Sequence, residues 1–314
     1  MISNSCSLCP RICGVTRTPD KGGGFCGMGT DAVVARAALH HWEEPCISGI
    51  RGTGAVFFSG CTLGCAYCQN ASISHEGFGK RVTAEGLAAI FKRLAEEEKA
   101  HTLSLITPTH FLPAILDALD LYRPKVPFVY NCGGYERIET VKSLEGVVDV
   151  WLPDFKHASA KLSGLLAKAP DYPEAALSAI REMCRQTGPA QYNSEGIMTR
   201  GTLIRHLVLP GCTRDSMDVL TTIREQLPLG TPVSLMGQYT PQPGCLIPGM
   251  DRKLTQKEYR RVVSCMQALE LPGYIQSLDS ADTGFTPPFD LTGVEETGKR
   301  NSVMYALPES GQNA

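Results

Sequence analysis

Three thiols fall within eight residues in the run from Ser59 to Asn70, SGCTLGCAYCQN. Cys61, Cys65 and Cys68 are close enough in the chain to wrap one soft metal centre, and Gly60 and Gly64 give the loop room to turn. A [4Fe–4S] cluster normally takes four Cys ligands, so three local thiolates leave one iron open. By analogy with zinc, an open coordination position marks a catalytic site rather than a structural one. The competing readings are a structural zinc knuckle and thiols that pack as small hydrophobes. The zinc pattern lacks its second Cys-x-x-Cys pair nearby.

A second group stands at the amino end. Cys6, Cys9 and Cys13 are followed by Cys26, with Gly22, Gly23 and Gly24 just before it to bend the chain back. Four thiols can close a site completely, which predicts a structural or electron-transferring centre, either zinc or an auxiliary [4Fe–4S] cluster. Residues 1–29 have little apolar periodicity, so metal binding would also supply folding energy there.

The elements that must position these groups follow from periodicity. Residues 54–59 read as a buried strand, immediately before the central thiols. Further strands are predicted over 102–107, 127–130, 147–152, 202–209, 233–236 and 274–277. Helices are predicted over 83–98, 112–121, 136–144, 173–187, 214–226 and 255–269, with Thr83 as an N-cap. The βαβα alternation argues for an α/β fold with a parallel sheet covered by helices. Pattern alone does not separate a doubly wound sheet from a barrel, but six or seven units without a composition break favour one barrel-like domain. The expected division is a cysteine-rich metal-binding extension at 1–48, a partial (β/α) barrel at 49–282 and an irregular tail at 283–314.

Composition narrows the function classes. The chain has 314 residues and a formal net charge of −2, which does not suggest a nucleic-acid or anionic membrane partner. No apolar run reaches the ~20 residues that span a bilayer, and the start shows no basic and apolar leader pattern. A cytoplasmic location is expected. The 13 cysteines then read as metal ligands and packing residues rather than disulfides.

The Cys-x-x-x-Cys-x-aromatic-Cys run after a first strand resembles the signature of the radical S-adenosylmethionine (SAM) superfamily. Its continuation, Gln69-Asn70 with Ser72-Ile73-Ser74, is similar to the branch of the pyruvate formate-lyase activating enzyme. The resemblance extends through residues 39–45, 107–110, 130–135, 153–156 and 205–211. It implies a partial (β/α) barrel of the radical SAM type. The implied activity is reductive cleavage of SAM to a 5′-deoxyadenosyl radical that abstracts hydrogen, with reduced flavodoxin or ferredoxin as electron donor. A glycyl radical enzyme is one implied substrate. A small molecule or another peptide is the alternative, and a non-catalytic iron–sulfur or zinc electron-transfer protein is the contrasting class.

The same resemblance implies a SAM site. Tyr67 is the aromatic residue of the signature. Lys156 can offer a positive charge to the SAM carboxylate, and Asp154 shares its strand face by the period of two. Arg205 begins a segment similar to the family's Arg…Pro-Gly strand and is a candidate carboxylate contact. Thr107 stands where activating enzymes carry a Gly-Gly-Glu-like segment, and its hydroxyl can accept from the SAM amino group. Asn131 replaces an Asp-Thr-Asn-Gly-like turn, and Gln238 stands where related activases place a His. Cys132 and Cys46 are candidate catalytic thiols, the first at a strand end and the second near the barrel entrance. Glu43 and Glu44 are acid–base or substrate-contact candidates. His110 and His206 are proton-transfer candidates, with structural hydrogen bonding the simpler role.

Overall fold

The computed structural model describes residues 5–242, 245, 247–280 and 287–294. Its strands are β1 (Ala32–His40), β2 (Thr53–Phe58), β3 (Lys80–Val82), β4 (Leu103–Ile106), β5 (Phe128–Cys132), β6 (Val150–Pro153), β7 (Gln191–Tyr192), β8 (Met198–Thr202), β9 (Ile204–Leu207), β10 (Val233–Met236) and β11 (Gly273–Ile275). The helices are α1 (Pro45–Ser48), α2 (Ala71–Ser74), α3 (Ala84–Lys92), α4 (Leu112–Leu121), α5 (Ile138–Ser143), α6 (Ala160–Ala167), α7 (Tyr172–Thr187), α8 (Thr213–Gln226) and α9 (Gln256–Ala268).

An eight-stranded sheet runs in the order β3-β1-β2-β4-β5-β6-β8-β7, and β9, β10 and β11 form a second sheet. Pairing is parallel from β2 through β6 to β8, and again across β9, β10 and β11. A parallel bridge between Asp154 and Arg205 joins the two sheets, and the Phe155 amide donates to the Arg205 carbonyl at 2.8 Å. The strands therefore curl into a partial (β/α) barrel. Helices cover its outside, and the main core fills the space between them and the sheet, with Phe91, Phe128, Tyr130 and Trp151 fully buried.

Local chemistry explains the helix starts. The Thr83 hydroxyl accepts from the Gly86 amide at the head of α3, and Thr255 with Glu258 forms a reciprocal capping box on α9. The predicted helix at 83–98 passes from α helix into a π-helical turn at Arg93–Glu97.

Two sequence expectations are corrected by pairing. The run 202–209 is not one strand. Leu203 donates to Trp151 in β6, while Ile204 donates to Pro232 just before β10, so the chain changes partners there. Residues 32–40, placed in the extension, form β1 and pair antiparallel with β2. The first four residues of β1, Ala32, Val33, Val34 and Ala35, are buried, so it closes one side of the barrel sheet. Residues 287–294 of the tail lie along β1 as an irregular strap. Leu291 donates to Ala35, Ala37 donates to Thr292, and Arg36 pairs with Asp290 at 3.0 Å. Residues 283–286 and 295–314 lie outside the described residues.

Candidate functional site

The central thiols occupy the loop that leaves β2. Gly60 sets its course with φ of +79°. An added Cβ there would meet the Met28 side chain at 2.4 Å, the Cys26 carbonyl at 3.1 Å and His110 Nε2 at 3.2 Å, so the turn accepts only glycine without movement. The loop is pinned from beneath by α6: Gly64 and Ala66 donate to the carbonyls of Ala167 and Leu166. Cys61, Cys65 and Cys68 all face one cavity of about 220 Å³ at the carboxyl ends of the strands, where α/β barrels place their chemistry.

Burial pushes the Cys61 thiol up, reinforced by Cys65, and pushes the Cys65 thiol up to about 12 against the Lys156 ammonium. Burial favours the neutral thiols of Cys61 and Cys65, but a cationic centre reverses the balance and deprotonates its ligands. Among the described residues, no three thiol, imidazole or carboxylate groups stand as ligands to a single metal ion. A cubane differs, because each thiolate binds a separate iron. The donor set, three thiols of one short loop lining one cavity, fits a [4Fe–4S] cluster with one iron open.

The same cavity is also lined by charge. Lys156 Nζ meets Asp154 at 2.5 Å. Burial alone would lower the Lys156 pKa, but the Asp154 carboxylate outweighs it and holds the ammonium charged. Arg205 donates to Glu43 at 3.2 Å and sits 3.3 Å from Glu44, and Asn131 Nδ2 donates to Glu43 at 3.1 Å. Burial raises the Glu43 pKa, Arg205 opposes that, and Glu44 adds to it. Thr107 takes φ of +60°, a region that β-branched residues rarely adopt, while its amide donates to the Asn131 carbonyl. Such strain costs roughly 1–3 kcal/mol and clusters at functional sites.

Tyr67, Thr107, Asn131, Asp154, Lys156, Arg205 and Gln238 all line the cavity with the three thiols, and so does Cys132. Cys46 does not. It is buried in a separate apolar cluster with Ile47, Val129 and Leu152. His110 and His206 are buried, each bonding a backbone carbonyl at 2.7 Å, and burial lowers both to about 4. Their roles in this structure are those of neutral packing imidazoles.

Sequence reasoning did not single out Glu136, which lies behind Cys132 and accepts from Thr109 at 2.8 Å. Burial pushes its carboxyl up to about 8. Nor did it select His157 or Asp215, which extend a hydrogen-bonded chain from Tyr67. Their partners are distant in the chain, so no spacing marks them.

At the amino end the four thiols lie within electrostatic reach of one another, though not as a ligand set for a single metal ion. Cys9 is coupled electrostatically to Cys13 and Cys26, and Cys26 to Cys6 and Cys13. An added Cβ at Gly24 would strike Cys13 Sγ at 2.8 Å. The segment is fastened to the barrel: Arg137 and Thr140 donate to the Ser7 and Leu8 carbonyls, and Arg11 Nε donates to Thr62 O at 3.0 Å, within the central loop.

Residues 48–133 match a family described as a 4Fe-4S single cluster domain. An uncharacterized protein of Methanocaldococcus jannaschii is 27% identical over 282 residues, which cover 86% of this chain and 76% of the relative. Among solved structures, the fold is similar to a radical SAM methyltransferase from Sphaerobacter thermophilus, with a TM-score of 0.50 and 15% identity over 73% of this chain and 70% of that one. It is also similar to SuiB of Streptococcus suis bound to the precursor peptide SuiA, with a TM-score of 0.50 and 13% identity over 71% of this chain. The match spans about half of that structure, 48% of its length. Residues 48–133 are thus similar to a 4Fe–4S single cluster domain, and the partial barrel around them is similar in fold to that of solved radical SAM enzymes.

Proposed function

We propose that this protein cleaves SAM reductively at a [4Fe–4S] cluster held by Cys61, Cys65 and Cys68, and uses the product radical to abstract hydrogen from a substrate. The observation that carries the reading is one cavity lined both by the three thiols and by the charged groups Glu43, Asp154, Lys156 and Arg205. When bound there in its reduced form, such a cluster would supply the electron for breaking the sulfonium S–C5′ bond of SAM. The chain binds, orients and excludes water. Lys156 and Arg205 present cations to a carboxylate, while Asn131 and Thr107 offer polar contacts to an amino acid moiety. The half-buried Asp154–Lys156 and Glu43–Arg205 pairs keep these groups in place before any ligand arrives.

The amino-terminal thiols are read as the ligands of a second centre, iron–sulfur or zinc, with Cys6, Cys9, Cys13 and Cys26 as the full set. Reduced flavodoxin or ferredoxin is the proposed electron donor. For the substrate, Trp42 lines the cavity yet is 62% exposed. An aromatic side chain half in the mouth suits a polypeptide segment, of which a glycyl radical enzyme's loop is one example.

The test is paramagnetic resonance of the reconstituted, reduced protein. Added SAM should change the cluster spectrum in the wild type and change it far less in Lys156→Met. A wild-type spectrum indifferent to SAM would reduce the protein to an electron-transfer role.

A further inference from the structure

β5 and β6 run parallel, and their ladder closes with Cys132 opposite Pro153. Just beyond it the Asp154 amide still reaches the Cys132 carbonyl at 2.9 Å. The two chains then part, because Phe155 turns to β9 and donates to the Arg205 carbonyl at 2.8 Å. The parting leaves three backbone groups that need partners: the carbonyls of Gly133 and Asp154 and the amide of Lys156. One side chain meets all three. The Tyr172 phenol, at the head of α7, lies 2.9 Å from each carbonyl oxygen and accepts from the Lys156 amide at 2.9 Å. Its proton is shared between the carbonyls, and a lone pair serves the amide.

The ring is held as firmly as its oxygen. Tyr172 is fully buried. It stacks on Tyr135 with centroids 6.1 Å apart and lies edge-to-face with His157 at 6.3 Å. Its own amide donates to the Ala169 carbonyl, and Pro173 follows it in the first turn of α7. Gly134 leaves room for the hydroxyl, since an added Cβ there would come within 3.0 Å of it. Three successive amides thus have three fixed directions: Asp154 is tied to β5, Phe155 to β9 and Lys156 to α7. From that anchored backbone the Lys156 side chain reaches Asp154 and lines the cavity. Tyr172 is not among the lining residues, so it acts through the Lys156 backbone and not by touching a ligand.

We propose that Tyr172 is a positioning residue for the SAM carboxylate, whose phenol fixes the strand end that presents Lys156. This rests on the reading that the cavity binds SAM.

Tyr172→Phe keeps the ring and removes the hydroxyl, which leaves the three backbone groups without that partner. In the full reconstituted chain, SAM affinity measured by anaerobic calorimetry should weaken by about tenfold or more. Affinity for decarboxylated SAM, which lacks the group that Lys156 meets, should stay that of the wild type. A loosened fold with no positioning role would weaken both ligands alike, and that result overturns the proposal, as does an unchanged SAM affinity. Hydrogen exchange supplies a readout that needs no variant. In the reconstituted wild type, read by mass spectrometry at residue resolution, the Lys156 amide should exchange as slowly as those of β6 although it lies beyond the strand. Fast exchange at Lys156 beside a protected β6 overturns the hydrogen bond on which the inference stands. A wild type that holds an intact cluster and binds no SAM would overturn the SAM reading, whereas SAM bound equally by wild type and Tyr172→Phe overturns this inference alone.

Discussion

Glu136 is a carboxyl group held on the protonated side at neutral pH, and that has a measurable consequence. Its pKa is raised by burial to about 8, against an ordinary value of 4.5. A raised folded value means that its contribution to stability is full below the unfolded pKa and is lost as pH rises through the folded one. The unfolding free energy of the wild type, relative to Glu136→Gln, should therefore fall between about pH 5 and pH 8, by at most ~1.4 kcal/mol per pH unit. It should level off above that. Chemical denaturation at several pH values checks this, and a constant difference would show that Glu136 is ionised in the fold. At this scale the central thiols were legible from sequence because the three are packed into eight residues. Glu43 was seen only as an acid near the entrance. Its bonds to Asn131 and Arg205 cross 88 and 162 residues of chain, and nothing in local spacing encodes them.

Turns and strand ends carry the next layer. Gly134 has φ of +75°, and an added Cβ would lie 2.0 Å from the Asp154 carbonyl. Backbone cannot yield as a side chain can, so Gly134→Ala should destabilise the fold by more than the ~1 kcal/mol of an ordinary glycine replacement. It should also displace Asp154, seen as weaker SAM binding measured by calorimetry. A neutral effect on both would contradict the close approach. Element reading succeeded where one periodicity ran uninterrupted: residues 112–121 and 233–236 match α4 and β10. It failed at β1, which precedes the βα rhythm and pairs antiparallel. It also failed at 202–209, where a continuous apolar run hides a change of partner at Leu203. Both depend on which strand lies alongside, and hydrophobic pattern does not report that.

The whole molecule couples two thiol sites through a single barrel. Cys26 reaches Gly60, and Arg11 reaches Thr62, so the amino-terminal segment lies against the central cluster loop. If its four thiols bind their own centre, a Cys61→Ala/Cys65→Ala/Cys68→Ala variant should retain iron or zinc by anaerobic metal analysis. A variant without either metal would rule out the second site. No helix among the described residues is long and apolar enough to cross a membrane. Barrel and doubly wound topologies looked alike in sequence because both repeat βα units. The bridge from Asp154 to Arg205 distinguishes them, as it curls the second sheet against the first, and that contact joins two of the charged groups at the site.

The central claim is reductive cleavage of SAM at the cluster of Cys61, Cys65 and Cys68. Its most direct measurement is 5′-deoxyadenosine formed anaerobically by the iron- and sulfide-reconstituted, reduced protein, beside a Cys65→Ala variant treated alike. The account predicts product from the wild type and none above background from the variant. Equal product from both, or none from a wild type whose cluster is intact and binds SAM, would contradict it.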